Sequence, residues 1–101
     1  MENLLKIGLS QNIIDSMIEV NGIFDVEELN ENINNTNKIL SVLKQLRIEK
    51  DIIDILLVHH MSLFLMKYDT FLLKIKDCNL REVSQRINED VDSVDDIFFK
   101  E

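Results

Sequence analysis

The chain contains no proline and only two glycines, Gly8 and Gly22, in 101 residues. Proline breaks helices and glycine weakens them, so almost nothing in this sequence interrupts a helix. Its β-branched residues do not alternate with polar ones, as they would in a half-buried strand. We therefore predict an all-α fold. It should be a single compact domain over residues 1–101, a bundle of six to eight short helices around a buried central helix at about 50–67.

The central helix is predicted from the most apolar stretch of the chain, which runs from Ile52 to Met66. Its apolar residues are distributed all round the helix, a pattern typical of a helix buried on several sides. Apolar surface left uncovered on it would suit a second copy, so a homodimer stays open. The stretch is shorter than the ~20 residues that span a bilayer, and Asp54 and the pair His59-His60 interrupt it. We expect no membrane segment.

The other helix boundaries are predicted from capping signals. A Ser, Thr, Asp or Asn before an apolar periodic segment indicates a helix start, and Glu three residues later completes a capping box. Asp25 with Glu28 and Asn79 with Glu82 show the full pattern. The predicted N-caps are Ser10, Asp25, Thr36, Asn79 and, for the last helix, Asp92 or Ser93.

Charge is distributed unevenly along the chain. Residues 1–36 carry seven carboxylates and one base, a net charge of −6. Residues 37–78 carry five carboxylates and seven bases, a net of +2, and residues 79–101 carry seven and three, a net of −4. Acidic ends repel phosphates, so this distribution disfavours nucleic acid or an anionic membrane as a direct ligand. It favours a protein partner with a basic surface.

Two acidic clusters are the candidate partner-binding residues. Their ordinary interpretation is a solvated surface that also supplies helix caps, since acids are stabilising near helix N-termini. Their functional interpretation is that rows of carboxylates replace phosphates in a basic groove. We expect the C-terminal cluster to be the principal contact, with Phe98 or Phe99 as an apolar anchor. The candidate residues are Asp25, Glu27, Glu28 and Glu31, and Glu89, Asp90, Asp92, Asp95, Asp96 and Phe98.

In size, charge and composition, the chain resembles small acidic phage-encoded inhibitors of host defence, including CRISPR inhibitors. The resemblance implies a non-enzymatic protein-binding module. Such a module would act as a DNA mimic and occupy the basic nucleic-acid-binding surface of a host protein. Its use of Asn, Ile and Lys is typical of an AT-rich genome, such as that of a low-GC bacterium or its phage.

The C-terminal segment 79–100 contains a second pattern. Residues 82–98 resemble the helix-turn-helix of bacterial DNA-binding regulators, with Ser84 where the two helices approach and Asn88 in the turn. The apolar contacts between the helices would come from Val83, Ile87, Val94 and Ile97. The resemblance implies direct contact with nucleic acid, which is the alternative function. The second helix, however, carries carboxylates where a recognition helix brings Arg, Lys, Asn or Gln to the bases.

A faint internal repeat relates residues 4–18 to residues 43–57 at an offset of 39. Ile13-Ile14-Asp15 matches Ile52-Ile53-Asp54, and the flanking apolar positions also correspond. The pattern resembles the helical repeats of the mitochondrial transcription terminator family, whose members bind nucleic acid. This resemblance also implies a nucleic-acid-binding regulator, although those proteins present basic surfaces.

No motif for catalysis or metal binding is found in the sequence. His59 and His60 are adjacent on a helix, so their side chains point about 100° apart and cannot chelate one ion. The chain has no glycine-rich phosphate loop and no nucleophile elbow. Its single cysteine, Cys78, excludes an internal disulfide and fits a reducing compartment. We expect no enzyme activity, no metal and no cofactor, and a cytoplasmic location, because the N-terminus does not have the pattern of a signal peptide.

Overall fold

The polypeptide folds into short helices joined by brief links. A computed structural model describes residues 1–100. Over this range the chain forms eight α-helices and one π-helix and no strand, so the predicted all-α fold is confirmed. The α-helices are α1 (Glu2–Lys6), α2 (Gln11–Asn21), α3 (Ile23–Glu31), α4 (Ile33–Gln45), α5 (Lys50–His59), α6 (Ser62–Leu65), α7 (Tyr68–Ile75) and α8 (Leu80–Glu89), and the π-helix spans Asp95–Phe99.

The helices enclose one apolar core. The most extensive packing joins α2 to α5, and α3 packs on both α1 and α2. On the other side, α4 contacts α6 and α7, and the π-helix lies against α7. The radius of gyration is 12.8 Å, close to the ~13 Å of a compact chain of this length.

The central helix is two helices rather than one. The predicted helix at 50–67 is broken at His60, whose φ of −132° and ψ of 45° lie outside the helical region. The break redirects the chain so that Leu63 and Phe64 of α6 are buried, and α6 packs on α4. Within the described part of the chain, no helix is both long and apolar enough to cross a membrane.

Two of the predicted N-caps are confirmed and two are wrong. Ser10 Oγ accepts the Ile13 amide at 3.2 Å, and Asn79 Oδ1 accepts the Glu82 amide at 3.1 Å. Asp25 is not a cap, because α3 begins directly after Gly22 and the carboxylate lies in its first turn. Thr36 is fully buried inside α4, where its hydroxyl donates to the Leu29 carbonyl at 3.0 Å.

Asparagine side chains bond to the backbone at the ends of distant helices. The Leu4 amide in the first turn of α1 donates to Asn30 Oδ1 at 3.1 Å. Asn35 spans the link between α6 and α7, because its Nδ2 donates to the Met66 carbonyl at 2.9 Å and its Oδ1 accepts the Tyr68 amide at 2.8 Å. Helix ends leave such groups without intrahelical partners, so these side chains complete the backbone hydrogen bonding.

The link between α1 and α2 is a Schellman turn. Gly8 has a φ of 106°, which favours glycine because a Cβ is strained there. Its amide donates to the Leu5 carbonyl at 3.0 Å, and the Leu9 amide donates to the Leu4 carbonyl at 3.1 Å. This pair of hydrogen bonds satisfies the last carbonyls of α1 and directs the chain into α2.

The same turn recurs 39 residues further on, between α4 and α5. Arg47, with a φ of 62°, takes the place of the glycine, and the Ile48 amide donates to the Leu43 carbonyl at 3.1 Å. Asn88 of α8 braces this turn from outside: its Nδ2 donates to the Arg47 carbonyl at 3.1 Å, and its Oδ1 accepts the Glu49 amide at 2.8 Å. The internal repeat is therefore, in structure, a repeated turn between two helices.

We expect Asn35→Ala to lower the free energy of unfolding by about 1–3 kcal/mol, because the Met66 carbonyl and the Tyr68 amide lose their partner. Asn34→Ala is the matched control: Asn34 is the exposed neighbour on the same helix and should change stability by less than about 0.5 kcal/mol. Urea denaturation of both variants measures the difference. Equal effects would show that the bridge across the α6–α7 link is not stabilising.

Substitutions at the left-handed positions of the two Schellman turns should change stability in opposite directions. Arg47→Gly should stabilise the fold by about 1 kcal/mol, since a non-glycine residue at positive φ is strained. Gly8→Ala should destabilise it by about 1 kcal/mol or more, for the same reason. Thermal unfolding of the two variants tests the pair. A melting temperature that falls for Arg47→Gly would mean that the arginine side chain compensates for the strain.

Candidate protein-binding surface

Helix α3 presents one face to the core and the opposite face to solvent. Val26 and Leu29 are buried, and they pack beneath the helix. Four residues at spacings of i, i+3, i+4 and i+7 share the outward side, because these positions lie on one face of an α-helix. We call them the α3 face: Phe24, Glu27, Glu28 and Glu31.

The N-terminal end of the α3 face is apolar. Phe24 is 82% exposed, although phenylalanine is among the residues most often buried. Val20 at the end of α2 and Ile23 at the start of α3 are 51% and 44% exposed. Three exposed apolar side chains thus lie within five residues where α2 meets α3. Exposed apolar surface with polar groups at its rim is typical of an interaction site.

The carboxylates of α3 are exposed and make no ion pair in the described part of the chain. Asp25, Glu27, Glu28 and Glu31 are all exposed. Within residues 1–100, none of the four takes part in an ion pair. Three of the four follow Phe24 along the same helical face, so the surface combines concentrated negative charge with an apolar end.

The C-terminal acidic cluster is, by contrast, held against the body of the protein. His60 lies at the break between α5 and α6, with Nε2 3.1 Å from Asp92 Oδ1 and Nδ1 3.6 Å from Asp95 Oδ1. Neither Asp92 nor Ser93 caps the final helix, which has no side-chain cap, so that prediction is wrong. Asp92 pairs with the imidazole instead, and the Ser93 hydroxyl is buried without a hydrogen-bond partner.

The remaining carboxylates of this cluster also have partners. Asp96 lies 4.0 Å from Arg86 and 3.7 Å from Lys100. Glu89 accepts a hydrogen bond at 3.1 Å from the glutamine four residues earlier, and Asp90 accepts the backbone amide two residues later at 3.1 Å. A partner protein would therefore compete with contacts that already exist in this cluster, whereas the carboxylates of the α3 face make no ion pair with any residue in the range 1–100.

Phe98 is a core residue and cannot be the exposed anchor that the sequence suggested. It is 1% exposed and stacks on Phe71, with the ring centroids 4.9 Å apart and the rings 7° from parallel. Phe99 is the exposed member of the pair, at 42%. The π-helix that contains both residues points Phe98 toward α7, so the anchor role predicted for Phe98 is wrong.

The helix-turn-helix-like segment differs in detail from its predicted form. Asn88 lies inside α8 rather than in the turn, and it braces the link between α4 and α5. Ser84 also turns toward that link, where its hydroxyl donates to the Leu46 carbonyl. The second helix of the segment is largely the five-residue π-helix. Three apolar positions of the pattern are buried in the common core: Val83, Ile87 and Val94.

Side chains able to bind metals are spread over the surface. Among the first hundred residues, no three His, Cys, Asp or Glu side chains converge on one point where an ion could bind. His59 is exposed, whereas His60 is turned toward the C-terminal carboxylates. The single cysteine, Cys78, is exposed and free.

The two adjacent phenylalanines near the C-terminus should respond differently to truncation. Phe98→Ala should destabilise the fold by about 3–5 kcal/mol, since it empties a buried ring position. Phe99→Ala is the matched control and should cost less than about 1 kcal/mol, because that side chain is partly in solvent. Chemical denaturation distinguishes them. Similar losses would contradict the assignment of Phe98 to the core.

No protein-family model, no curated protein and no solved structure matches the chain. The resemblances to helix-turn-helix regulators, to terminator repeats and to phage-encoded inhibitors therefore stay predictions from sequence.

Proposed function

We propose that this protein is a non-enzymatic, acidic protein-binding module that occupies a basic surface of another protein. The α3 face is its principal contact. The observation that carries the proposal is the exposure of Phe24, at 82%, among carboxylates that have no ion-pair partner within residues 1–100. The C-terminal residues Glu89, Asp90, Asp92, Asp95 and Asp96 form a secondary surface.

The partner is a protein surface rich in arginine and lysine. A guanidinium can lie over the face of an exposed phenylalanine ring while it pairs with a neighbouring carboxylate. The α3 face offers both kinds of contact within two helical turns. Such cationic surfaces are typical of proteins that bind nucleic acid, because phosphate contacts supply most of their affinity. The more specific proposal is a cytoplasmic inhibitor of a phage or mobile element, which acts as a DNA mimic against a host protein such as a CRISPR effector.

Competition with DNA tests this function. The probes are purified, guide-loaded CRISPR effectors and a basic DNA-binding repressor, each with fluorescent duplex DNA. We expect the full chain to displace DNA from at least one of them and to bind it with an on-rate that falls as salt rises. If every probe binds its DNA unchanged at an excess of the chain, the nucleic-acid-surface proposal is wrong for these classes.

A matched set of variants then locates the contact. Glu27→Gln, Glu28→Gln and Glu31→Gln together should slow association about 10-fold and flatten its salt dependence, and Phe24→Ala should raise the dissociation rate about 10-fold. The control combines Asp51→Asn, Asp69→Asn and Asp77→Asn, which removes the same net charge from exposed positions elsewhere. If the two triple variants had equal effects, the carboxylates of the α3 face would contribute only through the net charge of the chain and not through their position.

The alternative function, direct binding of nucleic acid, has a separate outcome. In a gel shift with duplex and single-stranded DNA at low salt, we expect no complex with the chain alone. A tight complex that weakens steeply with salt would favour a nucleic-acid-binding regulator instead. In that case, displacement of DNA from a DNA-binding protein would not be evidence of mimicry, because the chain would bind the DNA itself.

A further inference from the structure

A cavity of about 380 Å³ lies where the two Schellman turns meet. The α1–α2 side contributes Leu9 and Ile13 to its wall, and the α4–α5 side contributes Leu40, Ile48 and Ile53. The volume falls within the ~300–1,000 Å³ typical of sites for small molecules. No residue of the α3 face or of the C-terminal cluster lines it, so this site is independent of the proposed protein contact.

Most of the cavity wall is apolar, and its polar groups come from Ser10, Lys44, Lys50 and Asp54. Lys44 is exposed and makes no ion pair within the described residues, whereas Lys50 pairs with Asp54 at 3.7 Å. Ser10 Oγ accepts the Ile13 amide, so its hydroxyl hydrogen remains free to donate. The ammonium group of Lys44 and the hydroxyl donor of Ser10 thus lie at the edge of a largely apolar cavity.

We propose that this cavity binds a medium-chain fatty carboxylate. The alkyl tail lies between the two turns, and the carboxylate is held at Lys44. Apolar walls favour a hydrocarbon chain, because its burial removes apolar surface from water. The ammonium group favours an anionic head, which the acidic remainder of a chain with net charge −8 would repel. Charge and apolar surface therefore select the same amphipathic molecule at one place.

A series of ligands tests the tail. Calorimetry with octanoate, nonanoate and decanoate, each below its micelle concentration, measures affinity for the full chain. We expect each added methylene to tighten binding about 4-fold, which is the ~0.8 kcal/mol per buried methylene converted to a ratio. Affinity that does not change with chain length would overturn the proposal, because the tail would then not be buried.

A charge variant tests the head. Lys44→Gln should weaken decanoate about 2- to 5-fold and leave decanol unchanged, because only the carboxylate uses the ammonium group. Lys74→Gln is the matched control, since Lys74 is also exposed but lies on α7, away from the cavity. Equal weakening by the two variants, or weakening of decanol as well, would overturn the assignment of the head group to Lys44.

The position of the ligand is read from the unmodified protein, so it does not depend on whether a variant folds. In a nitrogen–proton correlation spectrum, decanoate should shift the amides of Leu9, Ser10, Ile13 and Ile48 first. Shifts centred on α3 would place the ligand on the exposed Phe24 patch and overturn this site. Such a result would still leave the DNA-displacement experiment to decide the proposed function separately.

Discussion

A bundle of short helices has many helix ends, and the rest of this structure depends on how the backbone amides and carbonyls at those ends find hydrogen-bond partners. Each α-helix leaves four amides and four carbonyls without intrahelical partners. In this chain, side chains from distant helices supply part of what is missing. Asn35 bridges the α6–α7 link, Asn88 braces the α4–α5 link, and Asn21 Nδ2 reaches the Val58 carbonyl near the end of α5 at 2.7 Å. An amide side chain carries both a donor and an acceptor, so it can replace one peptide group of an interrupted helix. This explains how a bundle with so many breaks keeps its links in defined positions.

The same constraint produces the cavity. A Schellman turn directs the residue after the left-handed position back against the helix it has just left. Leu9 and Ile48 occupy that position in the two turns, and both line the hollow between them. Because α2 packs on α5, the two turns are brought together at the start of these helices. A cavity at this place therefore follows from the repeat of a local motif combined with one tertiary contact.

The features that the sequence predicted well are those decided by neighbouring residues. Ser10 and Asn79 cap their helices because each side chain reaches an amide only three residues away. Thr36 could cap a helix by the same local chemistry, but in the structure its hydroxyl donates to the Leu29 carbonyl in the core. The residues next to Thr36 in the sequence do not predict that contact. The break at His60 is likewise tertiary, since it allows α6 to bury its own apolar residues. In the candidate site, the sequence predicted the carboxylates but not the exposure of Phe24. The one sign of this exposure in the sequence is that an apolar residue occurs on the acidic side of α3.

The two acidic clusters look alike in sequence and differ in structure. Asp92, Asp95 and Asp96 lie within ion-pair distance of basic side chains of the same chain, on α8 and at the break between α5 and α6. The carboxylates of α3 make no ion pair within residues 1–100, and the ring of Phe24 on the same helix is largely in water. A side chain this exposed contributes little to the stability of the fold. Folding therefore gives no physical reason for a phenylalanine at this position, whereas contact with another molecule does, since a cation can cover the ring while it pairs with a carboxylate on the same helical face.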